Sequence, residues 1–384
     1  MNKTVAWIVA VIVVLGVIWF TVGNKPAALV GGEPIKIGSI AALTGVGTAI
    51  GEEELKGAQL AVDEANAEGG FNGRSVVLVS EDLSIDKLKN AGAVASKLIN
   101  VDKVVAIVGP QWDEPALALL PIIEQNKTPM IGPDTTDAVE TGGLGAYLFS
   151  TWYDNRIGIE ELLKFAEKQE LKNIAIIRPL NGGFWKFASD LFASGALARG
   201  ITIVDDVDIG NPLTTDYRTF ITKVKEKKPE AIFFVTSDPG ECIFLKQMKE
   251  LGVNVPLLAT EAAGNKASLD QCSGDMANLY FSTPKVDHPG YRSFQESFVK
   301  KYGRPPLFPS AVTAYDGVKI ILAALEKTGG IGGEALQKVL TETKDFPGAS
   351  LPTITFDEKG FVITPDGSFE MQTVRGGQFV RMEN

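Results

Sequence analysis

The stretch of residues 35–74 constrains the fold more than any other part of the chain. It begins with an apolar run, continues through a glycine-containing loop, and then carries apolar residues at helical spacing up to a Gly-Gly pair at 69–70. Glycines commonly end helices because they adopt the left-handed conformation without steric cost. This order predicts a buried strand that leads into a helix through a loop, and in an open α/β sheet such a loop lies at the edge where ligands bind.

Strand-like apolar runs alternate with helical patterns through the rest of the chain. The runs are continuous rather than alternating, which is typical of parallel strands covered by helices on both faces. At 384 residues the chain is also longer than a single hydrophobic core usually grows. We therefore expect an α/β protein with two lobes. In its first helix, Glu52, Glu53 and Glu54 are expected at the N-terminus, where the helix dipole favours negative charge.

Composition and motifs argue against several classes of function. A net charge of −10 without a basic patch argues against nucleic-acid binding. His288 is the single histidine, which makes a histidine-based metal site or catalytic triad implausible. The chain has no G-x-S-x-G motif and no phosphate-binding P-loop. We therefore expect a protein that is not an enzyme and that needs neither a cofactor nor a metal.

Residues 5–22 form a nearly unbroken apolar segment that follows Lys3. Its length suits a membrane-spanning helix, which needs about 17–25 residues, and Trp7 and Trp19 lie at positions typical of a membrane interface. A cleaved secretory signal peptide is the alternative, with an apolar region of typically about 7–15 residues. Both interpretations place the remaining chain outside the cytoplasm. Residues 1–34 are thus interpreted as a membrane anchor or signal segment with a tether.

The two cysteines, Cys242 and Cys272, leave two interpretations open. A disulfide between them would persist in an exported protein. Two separate buried thiols are the alternative, because the sequence does not show how far apart the two residues lie.

Several of these segments resemble the type I periplasmic solute-binding proteins, specifically the leucine/isoleucine/valine-binding family. The resemblance rests on I-K-I-G from Ile35, T-G from Thr44, K-G-A-Q-L-A-V-D-E-A-N-A-E-G-G from Lys56 and N-G-R from Asn72. It extends from Ile35 to the C-terminus. It implies an α/β fold of two Rossmann-like lobes, each with a parallel central sheet flanked by helices, joined by a three-strand hinge and preceded here by the N-terminal transmembrane helix.

The resemblance also implies where the chain passes between the lobes. We expect crossings near residues 150–154, 282–286 and 348–352. These positions give a first lobe of residues 35–150 and 285–348, and a second lobe of residues 151–284 and 349–384.

The loops at the carboxyl ends of the strands are the expected ligand-binding loops, because closure of the lobes brings them together. After the predicted strand at 104–108, the family usually has hydroxyl-bearing residues that hold a ligand carboxylate. Trp112, Asp113 and Glu114 stand there in this chain. Asp113 is expected either to contact the ligand or to cap the following helix, and Trp112 either to line the cleft or to pack on a lobe surface.

The loop after the next predicted strand contains Asp134, Thr135 and Thr136. The resemblance aligns Thr136 with a ligand-binding threonine, whereas an ordinary turn is the alternative for the whole loop. At the first crossing, Trp152 is expected to form an aromatic wall and Asp154 to lie near the cleft as an acid. Packing in the hinge is the alternative for both.

In the second lobe, Arg178 either binds a carboxylate with both guanidinium nitrogens or pairs with neighbouring acids. Phe184 or Trp185 is expected to line the cleft. Ser237 lies where the family often has a ligand-contacting tyrosine, and Glu261 aligns with the acid that binds the ligand ammonium group.

Acids and tryptophans therefore dominate the predicted cleft, and together they are suited to recognising cations. The expected ligand is an amino acid or a related small cationic amine.

The resemblance implies the extracytoplasmic substrate-binding component of an ABC-type importer, attached to the cytoplasmic membrane by its N-terminal helix. Its expected partners are this small molecule and the permease subunits, and the protein itself is expected to be a monomer. A membrane-anchored extracellular sensor of the same fold is the alternative.

Overall fold

The computed structural model describes residues 31–135, 145–180, 183–211, 214–236 and 240–382. The apolar segment of residues 5–22 lies outside these ranges, so its interpretation as an anchor or a signal peptide stays a prediction. Thr136 and Ser237 also lie outside the described residues. Within the described ranges, no helix has both the length and the apolar character needed to cross a membrane.

The first sheet contains five parallel strands in the order β2-β1-β3-β4-β5. The strands are β1 (Ile35–Ala41), β2 (Val76–Asp82), β3 (Ala106–Val108), β4 (Met130–Gly132) and β5 (Leu148–Ser150). Every residue of β1 except Lys36 is buried, as expected for a central strand with helices on both faces. The loops that follow β3 and β4 leave the sheet side by side.

Six α-helices accompany this sheet in the described residues: α1 (Thr48–Ala67), α2 (Ala91–Ser96), α3 (Asp113–Asn126), α9 (Pro289–Tyr302), α10 (Ser310–Thr328) and α11 (Gly333–Thr341). Helix α10 packs closely along α1. A Cβ atom at Gly57 would lie 1.8 Å from the carbonyl oxygen of Ala311, so this approach requires glycine. The contact fixes the start of α10 against the first lobe.

The start of α1 differs from the expectation. Gly47 turns the chain with a φ of 86°, and the helix begins at Thr48. Glu52, Glu53 and Glu54 therefore lie in the second turn, and the prediction that they occupy the N-terminus was wrong. Glu53 and Glu54 are buried instead.

The second sheet contains seven strands in the order β14-β13-β10-β9-β8-β6-β7. Its parallel strands are β6 (Asn173–Arg178), β7 (Thr202–Asp208), β8 (Ala231–Phe234), β9 (Leu257–Ala259) and β10 (Leu279–Pro284). A separate short pair is formed by β11 (Phe346–Pro347) and β12 (Thr353–Ile354). Strands β13 (Phe369–Arg375) and β14 (Gln378–Arg381) extend the second sheet in antiparallel fashion.

The helices of this part are α4 (Asn155–Lys168), α5 (Gly183–Ala198), α6 (Arg218–Glu226), α7 (Gly240–Glu250) and α8 (Lys266–Cys272). Cys242 of α7 and Cys272 of α8 form a disulfide, with Cα atoms 5.8 Å apart. Of the two interpretations left open by the sequence, the disulfide is therefore the one observed.

We propose that the chain passes from the first sheet to the second between β5 and α4, and returns between β10 and α9. The last passage lies further along the chain than expected. Leu351, Ile354 and Phe356 pack in the core of the first lobe, and Phe361 forms a bridge with Ser150 of β5. The chain joins the second sheet only at β13. Because residues 351–362 pack on the first sheet, we propose a third crossing at 363–368 instead of 348–352, which assigns 349–362 to the first lobe.

Candidate functional site

A cavity of about 830 Å³, counting the part open to solvent, lies between the two lobes. Most of its walls come from loops at the carboxyl ends of strands and from the starts of helices, as is common in open α/β sheets. It is lined by Ile50, Trp112, Asp113, Asp134, Trp152, Phe184, Trp185, Thr236, Glu261, Ala262, Asn265, Phe308, Pro309 and Ser310.

The loops after β3 and β4 are held to each other by backbone pairing. Gln111 and Asp134 form a parallel bridge, and the backbone N–H of Trp112 donates to the carbonyl oxygen of Asp134 at 3.0 Å. Trp112 has a φ of 68°, a conformation that costs a non-glycine residue about 1–3 kcal/mol. This strained turn ends at Asp113, which is the first residue of α3 rather than its cap.

Three carboxyl groups of the lining, those of Asp113, Asp134 and Glu261, belong to residues less than one-tenth exposed. Burial raises the pKa of Asp134 well above its usual value, and the charges of Asp113 and Glu261 raise it further. Burial also raises the pKa of Glu261 to about 7, although a hydrogen bond from its own backbone N–H opposes the shift. Among the described lining residues there is no lysine, arginine or histidine. A cation entering the cavity would therefore meet acidic side chains and no basic side chain among these lining residues.

Aromatic side chains form much of the remaining wall. They are Trp112, Trp152, Phe184, Trp185 and Phe308. Trp152 packs edge-on against Tyr153, with ring centroids 5.6 Å apart, which holds its indole in place. Aromatic faces attract cations through the ring quadrupole, most strongly where water is excluded. The aromatic wall and the acids therefore favour the same kind of ligand.

A buried glutamate positions the part of the wall that precedes α10. The carboxylate of Glu53 accepts hydrogen bonds from the backbone N–H of Leu307, at 2.8 Å, and from the guanidinium of Arg304. Burial alone would raise the pKa of Glu53, but these bonds and one from Lys56 leave it below its usual value. The loop so fixed to α1 carries Phe308, Pro309 and Ser310 into the cavity wall.

The two lobes touch on both sides of the cavity. On one side, the backbone N–H of Gly183 at the start of α5 donates to Oε1 of Glu114 in α3 at 3.2 Å. On the other, the N–H of Lys266 in α8 donates to the carbonyl oxygen of Leu307 at 3.1 Å. The structure is therefore one in which both lobes face the same enclosed space.

The structure brings together seven of the residues predicted from the sequence. Those that line the cavity are Trp112, Asp113, Asp134, Trp152, Phe184, Trp185 and Glu261. Thr135 does not line it: its side chain is fully buried beside Gly132, where the chain packs tightly. Ligand contact by these residues stays a prediction.

Two predicted residues have other roles in the structure. The guanidinium of Arg178 faces Asp206 of β7, with Nε 2.9 Å from Oδ1, and also pairs with Asp190 of α5. The expected carboxylate-binding role is thus replaced by the alternative of pairing with neighbouring acids. Asp154 caps α4 by accepting the backbone N–H of Arg156 at 2.9 Å, and it does not line the cavity.

Sequence reasoning missed half of the lining: Ile50, Thr236, Ala262, Asn265, Phe308, Pro309 and Ser310. Thr236 follows β8 closely, so its position at a strand end was a usable signal. Phe308, Pro309 and Ser310 precede or begin a helix of the first lobe, and no strand-end pattern marks them.

Comparison with known proteins extends these observations. The model of a family described as periplasmic binding protein matches residues 34–378. The Leu/Ile/Val-binding protein BraC3 of Rhizobium johnstonii is 27% identical over 360 residues, which cover 91% of this chain and 94% of that protein.

Solved structures show the same fold. The substrate-binding protein LivJ of the branched-chain amino acid transporter from Streptococcus pneumoniae, in complex with isoleucine, is 25% identical with a TM-score of 0.80, and the match covers 91% of this chain and 100% of that one. An ABC-transporter solute-binding protein from R. palustris, in complex with benzoate, is 18% identical with a TM-score of 0.80, over 91% of this chain and 96% of that one.

Because these two structures hold different molecules, the fold alone does not determine the ligand. The family match confirms the resemblance inferred from the sequence, and with it the prediction of a binding protein rather than an enzyme. The chain belongs to the periplasmic binding protein family, and its α/β fold with parallel sheets is that of the type I leucine/isoleucine/valine-binding members.

Proposed function

We propose that this protein is the extracytoplasmic substrate-binding component of an ABC-type importer and that it binds an amino acid or a related small amine between its lobes. The observation that carries the proposal is the composition of the cavity. Three buried carboxyl groups and five aromatic side chains face it, and no basic side chain is among its described lining residues. This combination suits an ammonium group in a site with little water.

The relatives support the amino acid part of the proposal. The Rhizobium johnstonii protein is named for binding leucine, isoleucine and valine, and LivJ was crystallised with isoleucine. In our chain, Glu261 is the residue proposed to receive the ligand ammonium group. It lies two residues after the end of β9, in a short 3₁₀ turn of residues 261–263, at the carboxyl edge of the second sheet.

The positions of the acids suggest how binding would be coupled to lobe closure. Asp113 and Asp134 belong to the first lobe, and Glu261 belongs to the second. A cation between them is stabilised by both sets only while the lobes are close. Binding would therefore shift the population toward the closed form about the hinge, in proportion to this difference in affinity.

The closed form is proposed to be what the permease subunits recognise. Residues 5–22 would hold the protein at the membrane, or would direct its export if they are cleaved. We propose that the protein acts as a monomer, since each chain carries a complete cavity with walls from both lobes.

A thermal-shift screen of the full chain against amino acids, polyamines, betaines and small amides tests the proposal. A ligand at 100 times its dissociation constant should stabilise the folded protein by about 2.7 kcal/mol. Glu261→Gln should abolish or strongly reduce the shift. Glu250→Gln is the matched control, because it removes the same charge from an exposed position of the same lobe.

Two results would contradict the proposal. One is the absence of any shift across the panel with the unmodified chain. The other is a shift of equal size in the Glu261→Gln and Glu250→Gln variants, because the ammonium group would then lie elsewhere.

A further inference from the structure

Two hydrogen-bond donors in the cavity wall are buried without a partner among the described residues. They are the hydroxyl of Ser310 and the indole N–H of Trp152. Ser310 is 1% exposed and Trp152 is 7% exposed. A buried donor left without an acceptor is costly, and nearly all such groups in folded proteins are paired. Both donors therefore call for an acceptor that is not part of the described protein.

The two donors are brought to the same region by a network of threonine hydrogen bonds. The hydroxyl of Thr151, which precedes Trp152, donates to the carbonyl oxygen of Thr313 in the first turn of α10 at 3.0 Å. The hydroxyl of Thr313 shares its single proton between the carbonyl oxygens of Pro133, at 2.6 Å, and Ser310, at 3.0 Å. Ser310 is thus one hydrogen bond from Thr313, and Trp152 follows Thr151, which is itself one hydrogen bond from Thr313.

The start of α10 is also electrostatically suited to an acceptor. Helix α10 has 19 residues and begins at Ser310, so its positive end points toward the cavity wall. The N–H groups of Ala311 and Val312 are already bonded to the carbonyl oxygens of Phe308 and Pro309. The hydroxyl and the indole N–H, rather than these two backbone N–H groups, are therefore the donors that lack an acceptor among the described residues.

We propose that the Ser310 hydroxyl and the Trp152 indole N–H bind the carboxylate of a zwitterionic ligand, while Asp134 and Glu261 hold its ammonium group. This inference rests on the proposed function and specifies the ligand class within it. It places the carboxylate at the start of α10 instead of the loop after β3. That loop presents the buried carboxyl group of Asp113 to the cavity, which would repel a second carboxylate.

The experiment compares amino acids with the amines that lack their carboxylate. Calorimetric titrations of the full chain would use three matched pairs: L-leucine with 3-methylbutylamine, L-lysine with cadaverine, and glycine betaine with tetramethylammonium. We expect at least one amino-acid member to bind about tenfold or more tightly than its amine, the size expected for hydrogen bonds to a charged group.

Variants then assign this preference to the two donors. Ser310→Ala and Trp152→Phe should each reduce the preference, the ratio of the amino-acid affinity to the amine affinity, about tenfold. Ser282→Ala is the matched control, because its buried hydroxyl also lacks a partner among the described residues but lies on β10 outside the cavity lining. Ser310→Ala should not lower the melting temperature of the unliganded protein, since the described structure gives its hydroxyl no bond to lose.

The outcomes separate this inference from the proposed function. If amines bind as tightly as amino acids, and Glu261→Gln abolishes both, the proposed function stands and the carboxylate site is overturned. Equal weakening of both members of a pair by Ser310→Ala overturns the carboxylate site as well, as does no effect of either variant. If no member of any pair binds and the wider screen is also silent, both proposals fail.

Discussion

The hydroxyl of Thr313 donates a hydrogen bond to the carbonyl oxygen of Pro133 at 2.6 Å, which joins the first turn of α10 to the loop after β4. Asp134 follows Pro133 directly, and Ser310 lies three residues before Thr313. This one buried side chain therefore determines how an acid of the cavity lies relative to the start of a helix that is distant in sequence. It links the two groups that we propose for the opposite ends of the ligand.

Thr313→Val tests the importance of this link. The substitution keeps the shape of the side chain but removes the bonds to Pro133 and Ser310, and each carbonyl then lacks that donor. We expect the free energy of unfolding to fall by about 1–3 kcal/mol, and ligand affinity to fall as well. Urea denaturation and a binding titration measure the two effects.

Thr328→Val, at the other end of the same helix, is the matched control. Its hydroxyl also bonds two carbonyl oxygens, of Leu325 and Ile331, but it lies far from the cavity. A variant at 328 that weakened ligand binding as much as the variant at 313 would show that the link to Pro133 has no particular role.

Ligand affinity should depend on pH through Glu261. Its pKa of about 7 means that half of the unliganded molecules carry a proton there near neutral pH, and only the ionised form attracts a cation. Affinity for an amine should therefore rise by roughly tenfold between pH 6 and pH 8. Titrations of the tightest amine across this range measure the slope. An affinity that stayed constant, or that fell with rising pH, would contradict titration of Glu261 in this range as the cause of the pH dependence.

From the burial of a second acid, Glu54, we predict how the free energy of unfolding changes with pH. Both of its carboxyl oxygens are buried without a hydrogen-bond partner among the described residues, and burial together with the charge of Asp134 raises its pKa well above the usual value. A raised pKa in the folded state means that the folded protein holds this proton more tightly than the unfolded chain. The corresponding stability is present below about pH 4.5 and is lost as pH rises through the higher folded-state value.

Glu54→Gln should remove this loss, because an amide carries no charge at any of these pH values. Chemical denaturation at pH 5 and pH 8 should show a smaller decrease in the free energy of unfolding than the unmodified chain shows. Glu52→Gln, an exposed position on the same helix, should leave the decrease unchanged. An unaltered decrease in the Glu54 variant would mean that other groups cause the pH dependence.

The disulfide between Cys242 and Cys272 should contribute measurably to stability. It joins residues 30 positions apart, and closing a loop of this length in the unfolded chain corresponds to about 3–4 kcal/mol in the chain-entropy model. Cys242→Ser should lower the free energy of unfolding by this order. Reduction of the unmodified protein should have a similar effect, whereas reductant should not change the stability of the variant. Equal stability with and without reductant in the unmodified chain would contradict the prediction.

The parts of the site that the sequence predicted are those with a local signal. Asp134 and Glu261 follow short apolar runs, and in a parallel sheet such residues must lie at the ligand-binding edge. Arg178 is the last residue of β6, but its partners lie on β7 and α5, 28 and 12 residues away. No local pattern indicates that pairing. The choice between a ligand contact and a structural ion pair therefore depended on tertiary packing.

The fold was predictable for the same reason. Its prediction failed where tertiary contacts, rather than local sequence, determine the position of a segment. The continuous apolar runs identified parallel strands of both sheets, and the hydrophobic spacing after Gly47 identified α1. Residues 351–362 carry no comparable signal. Their place in the first lobe follows from packing of Leu351 and Ile354 in its core and from pairing of Phe361 with Ser150.

The hydrogen bond between Glu114 and Gly183 joins the two lobes, so its strength affects how readily the lobes open. It is exposed, and a bond of this kind contributes about 0.5–1.5 kcal/mol, which changes the ratio of two populations by about tenfold at most. A single contact this weak cannot by itself keep the lobes closed. Under the proposed function, the fraction of closed molecules would then follow the concentration of solute outside the cell, and the membrane partner would respond to that concentration.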